Sequence, residues 1–185
     1  MTTIATALGF DVGAKRIGVA VGNGFSGTAR DLGVVDMRDE VADWNAIDKL
    51  VREWRPEALV VGDPRTQGDD GRRTSSIEPD LTQADLTQPS RQRAQHFACA
   101  AARRYPVPVW LVDERMSSID AAARFAEGRA AGARKRSGAR NLDAVAAAII
   151  LERWLGAPED ADRVAAEADQ APLIDNGVPK PPTTP

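Results

Sequence analysis

Two apolar segments, residues 6–11 (Thr-Ala-Leu-Gly-Phe-Asp) and 17–21 (Ile-Gly-Val-Ala-Val), are separated by only five residues. A connection that short predicts an antiparallel hairpin. Beyond the hairpin the chain alternates between the two hydrophobic periods. A third short strand is predicted near Leu32–Val35. Val41, Trp44, Ile47, Leu50, Val51 and Trp54 then recur at the three- and four-residue spacing of an amphipathic helix, which Pro56 forbids from continuing. Ala58–Val61 reads as a compact buried strand ending at Gly62. A helix is predicted from about Ser90 to Arg104, and a strand over Val107–Asp113, with Pro108 near its start where it is tolerated. Ser117 with Asp120 resembles a cap opening a helix through about Ala130. Asn141 is expected to cap a last helix, with Leu142, Val145, Ala146, Ile149, Ile150 and Trp154 on its apolar face. The order implies an α/β fold: a mixed sheet with an antiparallel N-terminal hairpin and helices on both faces. Chemical groups then belong at strand ends and in the loops after them.

Within 185 residues this pattern fills one domain, residues 1–155. Residues 63–88 hold prolines, six acids and many Thr, Ser and Gln without periodicity, and are expected to form a long surface loop. Residues 156–185 carry six prolines and six acids and read as a disordered, dispensable tail. No apolar run approaches the ~18 residues of a membrane span, so the chain is expected to be soluble and cytoplasmic. The net charge of −3 is unevenly spread: the tail carries −4 and the remainder +1. Arg124 to Arg140 holds six basic residues against Glu127 alone, so overall acidity does not exclude a nucleic-acid partner.

One cysteine, Cys99, excludes a disulfide framework and multi-cysteine zinc sites, and one histidine, His96, excludes two-histidine metal sites. Gly22, Gly24 and Gly27 match G-x-G-x-x-G, but strand-like sequence occupies the place where a phosphate-binding helix would have to start, so a glycine-rich turn is expected. Carboxylates are the better lead. Asp11 ends the first strand, Asp113-Glu114 ends another, and Asp143 falls at the expected first turn of the last helix. Hard oxygen ligands without His or Cys select Mg²⁺ or Mn²⁺, and two such ions bridged by carboxylates serve in-line phosphodiester cleavage. Of Asp113 and Glu114 only one can face such a site, because adjacent strand residues point to opposite faces. Lys15 and Arg16, in the turn beyond Asp11, are candidate phosphate contacts. So are Arg129, Arg134, Lys135, Arg136 and Arg140, which lead into the helix bearing Asp143.

Gly9-Phe-Asp-Val-Gly-Ala-Lys-Arg-Ile-Gly-Val-Ala-Val21, Val60-Val-Gly62, Asp113-Glu-Arg-Met-Ser-Ser118 and Leu142-Asp-Ala-Val-Ala-Ala147 resemble the signature blocks of the YqgF family. These are RNase H-like bacterial proteins described as pre-16S rRNA nucleases and, earlier, as Holliday junction resolvases. The resemblance spans residues 7–155. It implies an RNase H-like fold, a two-metal Mg²⁺ or Mn²⁺ site on Asp11, Glu114 and Asp143, and phosphodiester hydrolysis in structured RNA (pre-16S rRNA) or branched DNA. The chain departs from the family where Asp63-Pro-Arg-Thr replaces a Leu-Pro start, in a longer loop after Gly62, and in the acidic tail. Two other classes compete. Asp11-Val-Gly-Ala-Lys15 also resembles the phosphate loop of actin-like ATPases and sugar kinases, whose folds need two related domains. A non-catalytic RNA-binding assembly factor would tolerate loss of the carboxylates.

Overall fold

The structure is a computed structural model that describes residues 4–65, 88–114 and 139–165. Among the described residues seven strands form one sheet: β1 (Thr6–Val12), β2 (Arg16–Asn23), β3 (Thr28–Arg38), β4 (Val41–Ala42), β5 (Ala58–Asp63), β6 (Val109–Asp113) and β7 (Asp162–Arg163). Their spatial order is β4-β3-β2-β1-β5-β6-β7. The hairpin β1–β2 is antiparallel, with Asp11 opposite Gly18, and β3 extends that meander. β1, β5 and β6 run parallel. This is the mixed sheet with an antiparallel N-terminal hairpin that the order of elements implies.

Helices α1 (Trp44–Trp54) and α2 (Pro89–Arg104) cover one face, and α3 (Ala139–Gly156) covers the other. Strand pleating divides the core accordingly. Leu8, Phe10, Leu59, Val61, Val109 and Leu111 pack toward α1 and α2 with Ile47 and Phe97. Ala7, Ala20, Ala58, Val60 and Val112 pack toward α3 with Ala147, Ile150, Leu151 and Trp154.

Several expected boundaries move. β3 runs eleven residues rather than four. Val41 lies in β4, 61% exposed, and α1 starts after it, capped by Asp43, whose Oδ1 accepts from the Ala46 N–H at 3.2 Å. Helix α3 begins at Ala139, so Asn141 lies inside it rather than capping it, and Asp143 falls in its second turn. Its apolar face matches the expected one in part: Val145, Ile150 and Trp154 are buried, but Leu142 is 54% exposed, and Ala144, Ala147 and Leu151 are fully buried beside them. The reason is close packing. A Cβ at Gly18, Gly9 or Gly22 would meet the Asp143 carbonyl, the Ala147 carbonyl and the Leu151 side chain at 1.9, 2.9 and 2.9 Å. The α3 row at 143, 147, 151 and 155 thus rests on a glycine floor that large side chains would lift away.

The fold also continues past residue 155. A short 3₁₀ turn (Pro158–Asp160) leads to β7, which pairs antiparallel with β6, and Val164 is buried. Residues 156–165 therefore belong to the packed domain rather than to a tail, because the exposed edge of β6 takes up a strand there. The remainder of the expected tail, most of the 63–88 loop and the helix expected over 117–130 lie outside the described residues. Among the described residues no helix is long and apolar enough to cross a membrane.

Candidate functional site

Asp11, the last but one residue of β1, opposes Gly18 and so shares the face of the sheet that packs on α3. Along β6 the same alternation separates the two neighbouring acids. Asp113 has the parity of Val109 and Leu111, which face α1 and α2, while Glu114 has that of Trp110 and Val112, which face α3. The Glu114 carboxylate lies over Gly62: a Cβ there would come within 2.1 Å of Oε1, so this glycine, last but one in β5, leaves the space the carboxylate occupies. Asp143 joins them from α3, its backbone seated on Gly18. One end of the α3 face thus gathers Asp11, Glu114 and Asp143 from three elements.

Their electrostatics carry the mark of crowded like charge. The Asp11 carboxyl is pushed up to about 6, first by burial and then by the Asp143 charge. Glu114 is pushed up to about 7, first by burial, then by Asp11, with Asp63 and Asp113 adding to it. Asp11 is therefore the shared member, coupled to both of the others. Arg16 Nε lies 3.0 Å from Asp143 Oδ2 in an ion pair, each side chain about one-third exposed (32% and 33%). Among the described residues no three His, Cys, Asp or Glu side chains are drawn together closely enough to hold an ion in the rotamers present. The donor set nevertheless fits a hard divalent cation in its chemistry: all its donors are carboxylate oxygens, and added positive charge would relieve the repulsion that raises Asp11 and Glu114.

Asp63 ends β5 on the opposite face and is fully buried. Arg65 Nε donates to its Oδ2 at 2.6 Å and Arg91 Nε, from α2, donates to Oδ1 at 3.2 Å. Burial pushes the Asp63 carboxyl up, and the two guanidiniums pull it back. Arg65 Nη2 also donates to Asp162 Oδ2, tying the end of β5 to β7. Neither this cluster nor the spacing roles of Gly18 and Gly62 were among the residues singled out from sequence. The one signal for Asp63 was its parity, one residue past Gly62 and opposite in facing.

Of the basic candidates, Lys15 is exposed in the β1–β2 turn and Arg16 is on Asp143. Arg129, Arg134, Lys135 and Arg136 lie outside the described residues, and Arg140 is described only in its backbone within α3. The glycine-rich match forms the β2–β3 turn, where Asn23 Oδ1 accepts from the Phe25 and Ser26 N–H groups, and β3 rather than a helix comes next. His96 is exposed on α2 and Cys99 half-buried.

Comparison with known proteins agrees with the sequence motifs. Residues 5–157 match the family model described as RuvX, Holliday junction resolvase. A protein of Xanthomonas campestris pv. campestris (strain 8004) named "Putative pre-16S rRNA nuclease" is 49% identical over 157 residues, covering 85% of this chain and 91% of that protein. A protein of the same name from Xylella fastidiosa (strain M12) is 50% identical over 154 residues, covering 83% and 89%. Among solved structures, RuvC of Thermus thermophilus in complex with a Holliday junction substrate aligns at a TM-score of 0.49 with 17% identity, covering 86% of this chain and 99% of that one. The chain belongs to the RuvX family, the family that its YqgF-type motifs indicate.

Proposed function

We propose that this protein is a metal-dependent nuclease that hydrolyses phosphodiester bonds in the cytoplasm, acting in 5′-end processing of pre-16S rRNA during ribosome biogenesis. The observation that carries the reading is the convergence of Asp11, Glu114 and Asp143 on one end of the α3 face, with Asp11 and Glu114 both raised by burial and by their neighbours' charge. The names of the 49–50% identical relatives supply the substrate class.

In this reading Asp11, Glu114 and Asp143 would hold Mg²⁺ or Mn²⁺, whose charge would relieve the repulsion that raises Asp11 and Glu114. Such a cation would supply a lowered pKa for an attacking water and charge stabilisation for the leaving oxygen. Gly62 keeps clear the volume the Glu114 carboxylate needs, and Gly18 lets Asp143 approach the sheet. Lys15, Arg16 and the basic segment of Arg129, Arg134, Lys135, Arg136 and Arg140 provide phosphate contacts beside the carboxylates.

The test is single-turnover cleavage of a precursor 16S 5′ end, and in parallel of a four-way DNA junction, the substrate the family description favours. Parent protein should cut the RNA in Mg²⁺ or Mn²⁺, and Asp11→Asn, Glu114→Gln and Asp143→Asn should each lose at least ~10²-fold, about 2.7 kcal/mol of barrier. Variants that cut as fast as the parent would remove the carboxylate site. Faster cleavage of the junction would move the activity to DNA. A parent that binds RNA and never cuts it would make the protein an assembly factor.

A further inference from the structure

Arg16 opens β2 two residues before Gly18, so the two share the face toward α3. Because Gly18 has no Cβ, the backbone of Asp143 sits directly on the strand, and the Asp143 carboxylate comes within 3.0 Å of Arg16 Nε. The pair is about one-third exposed at both ends (32% and 33%), the regime in which an ion pair is weak and readily exchanged. The arginines on Asp63 differ: Arg65 and Arg91 are only 17% and 14% exposed and their partner 1%, so that cluster has no easy route to exchange.

We propose that Arg16 and a divalent cation compete for the Asp143 carboxylate, and that cation binding releases the Arg16 guanidinium to a phosphate of the nucleic acid. This rests on the reading of Asp143 as a metal ligand. A divalent cation outcompetes a single guanidinium for a carboxylate already facing the Asp11 charge. The released fork matches two phosphate oxygens, a geometry lysine lacks. Arg16 is then a positioning residue that neutralises Asp143 before loading and engages the substrate after it. Metal and phosphate binding become coupled through one side chain.

The experiment titrates Mn²⁺ into full-length parent, Arg16→Gln, Arg16→Lys and Asp143→Asn by calorimetry. It also measures binding of a single-stranded RNA oligonucleotide in EDTA and in Ca²⁺. Arg16→Gln should bind Mn²⁺ roughly two- to fivefold tighter, the range for release from a partly exposed pair, while Asp143→Asn binds it more weakly. In EDTA, Arg16→Gln should bind RNA somewhat more weakly than the parent, because the Asp143 charge loses its partner. In Ca²⁺ the parent should gain affinity and Arg16→Gln should gain less. Arg16→Lys keeps a competing charge and should stay near the parent in Mn²⁺ affinity while losing part of the Ca²⁺-dependent RNA gain. Unchanged or weaker Mn²⁺ binding by Arg16→Gln, with Asp143→Asn still weakened, would overturn the competition and leave the carboxylate site standing. Parent-like Mn²⁺ binding by Asp143→Asn would instead remove Asp143 from the site, and the proposal with it.

Discussion

Asp11 and Asp63 sit near the ends of two adjacent parallel strands, β1 and β5, and face opposite sides of the sheet. Both are raised by burial. Their neighbours differ in sign. Asp63 has guanidiniums from Arg65 and Arg91 bonded to its two oxygens, and Arg65 passes the connection to Asp162 on β7. Asp11 has Asp143 pushing its carboxyl further up, and in turn pushes up Glu114. An acid whose charge is answered inside the chain holds the fold together. Acids that raise one another gain when a cation from outside the chain adds to the charge that answers them.

The largest expected effect comes from breaking the compensated side. Asp63→Asn leaves Arg65 and Arg91, both mostly buried, facing a neutral amide. Stability should fall by about 3 kcal/mol, the penalty of stripping one partner from a buried pair. Denaturant unfolding measures this, and a change under ~1 kcal/mol would make the Asp63 cluster as dispensable as a surface pair.

Shortening the chain probes the far end of the same cluster. Ending it after Gly156 removes Val164 from the core and Asp162 from Arg65, which should lower stability by about 2 kcal/mol. Ending it after Ala165 keeps those contacts. Equal unfolding midpoints for the two truncations would mean that β7 contributes nothing.

On the Asp11 side the sign reverses. Asp11 and Glu114 hold protons in the folded state up to about pH 6 and 7, above their ordinary values. Between about pH 4 and 7 the folded protein thus binds more protons than the unfolded chain, and metal-free stability falls as pH rises through that window. Asp11→Asn removes one repelling charge and should stabilise the metal-free protein at pH 7.5 by about 1–2 kcal/mol, with a flatter pH dependence. A destabilised Asp11→Asn with the parent's slope would show that Asp11 has a compensating partner.

Much of this was legible in the sequence. Length and apolar runs located β1, β2, β5 and β6, and period-two alternation placed Asp113 and Glu114 on opposite faces before their surroundings were known. The features that escaped did so for physical reasons. β4 and β7 are two residues each, too short to carry a period, and exist because they pair with existing sheet edges. The buried face of α3 is set by alanines against glycines, whereas periodicity is read from large side chains such as Leu142, which is exposed. Asp63 resembled Asp11 in its local pattern. The guanidiniums of Arg65 and, from α2, Arg91 distinguish it.

The most direct test of the central claim is thermal unfolding at pH 7.5, with and without millimolar Mn²⁺, for parent, Asp11→Asn and Asp63→Asn. A cation bound only by the folded state raises Tm by mass action. Mn²⁺ should raise the parent's Tm and that of Asp63→Asn from its lower baseline. Asp11→Asn should start above the parent without metal and gain little from Mn²⁺. An Asp11→Asn protein that starts below the parent and gains as much from Mn²⁺ as the parent does would contradict it.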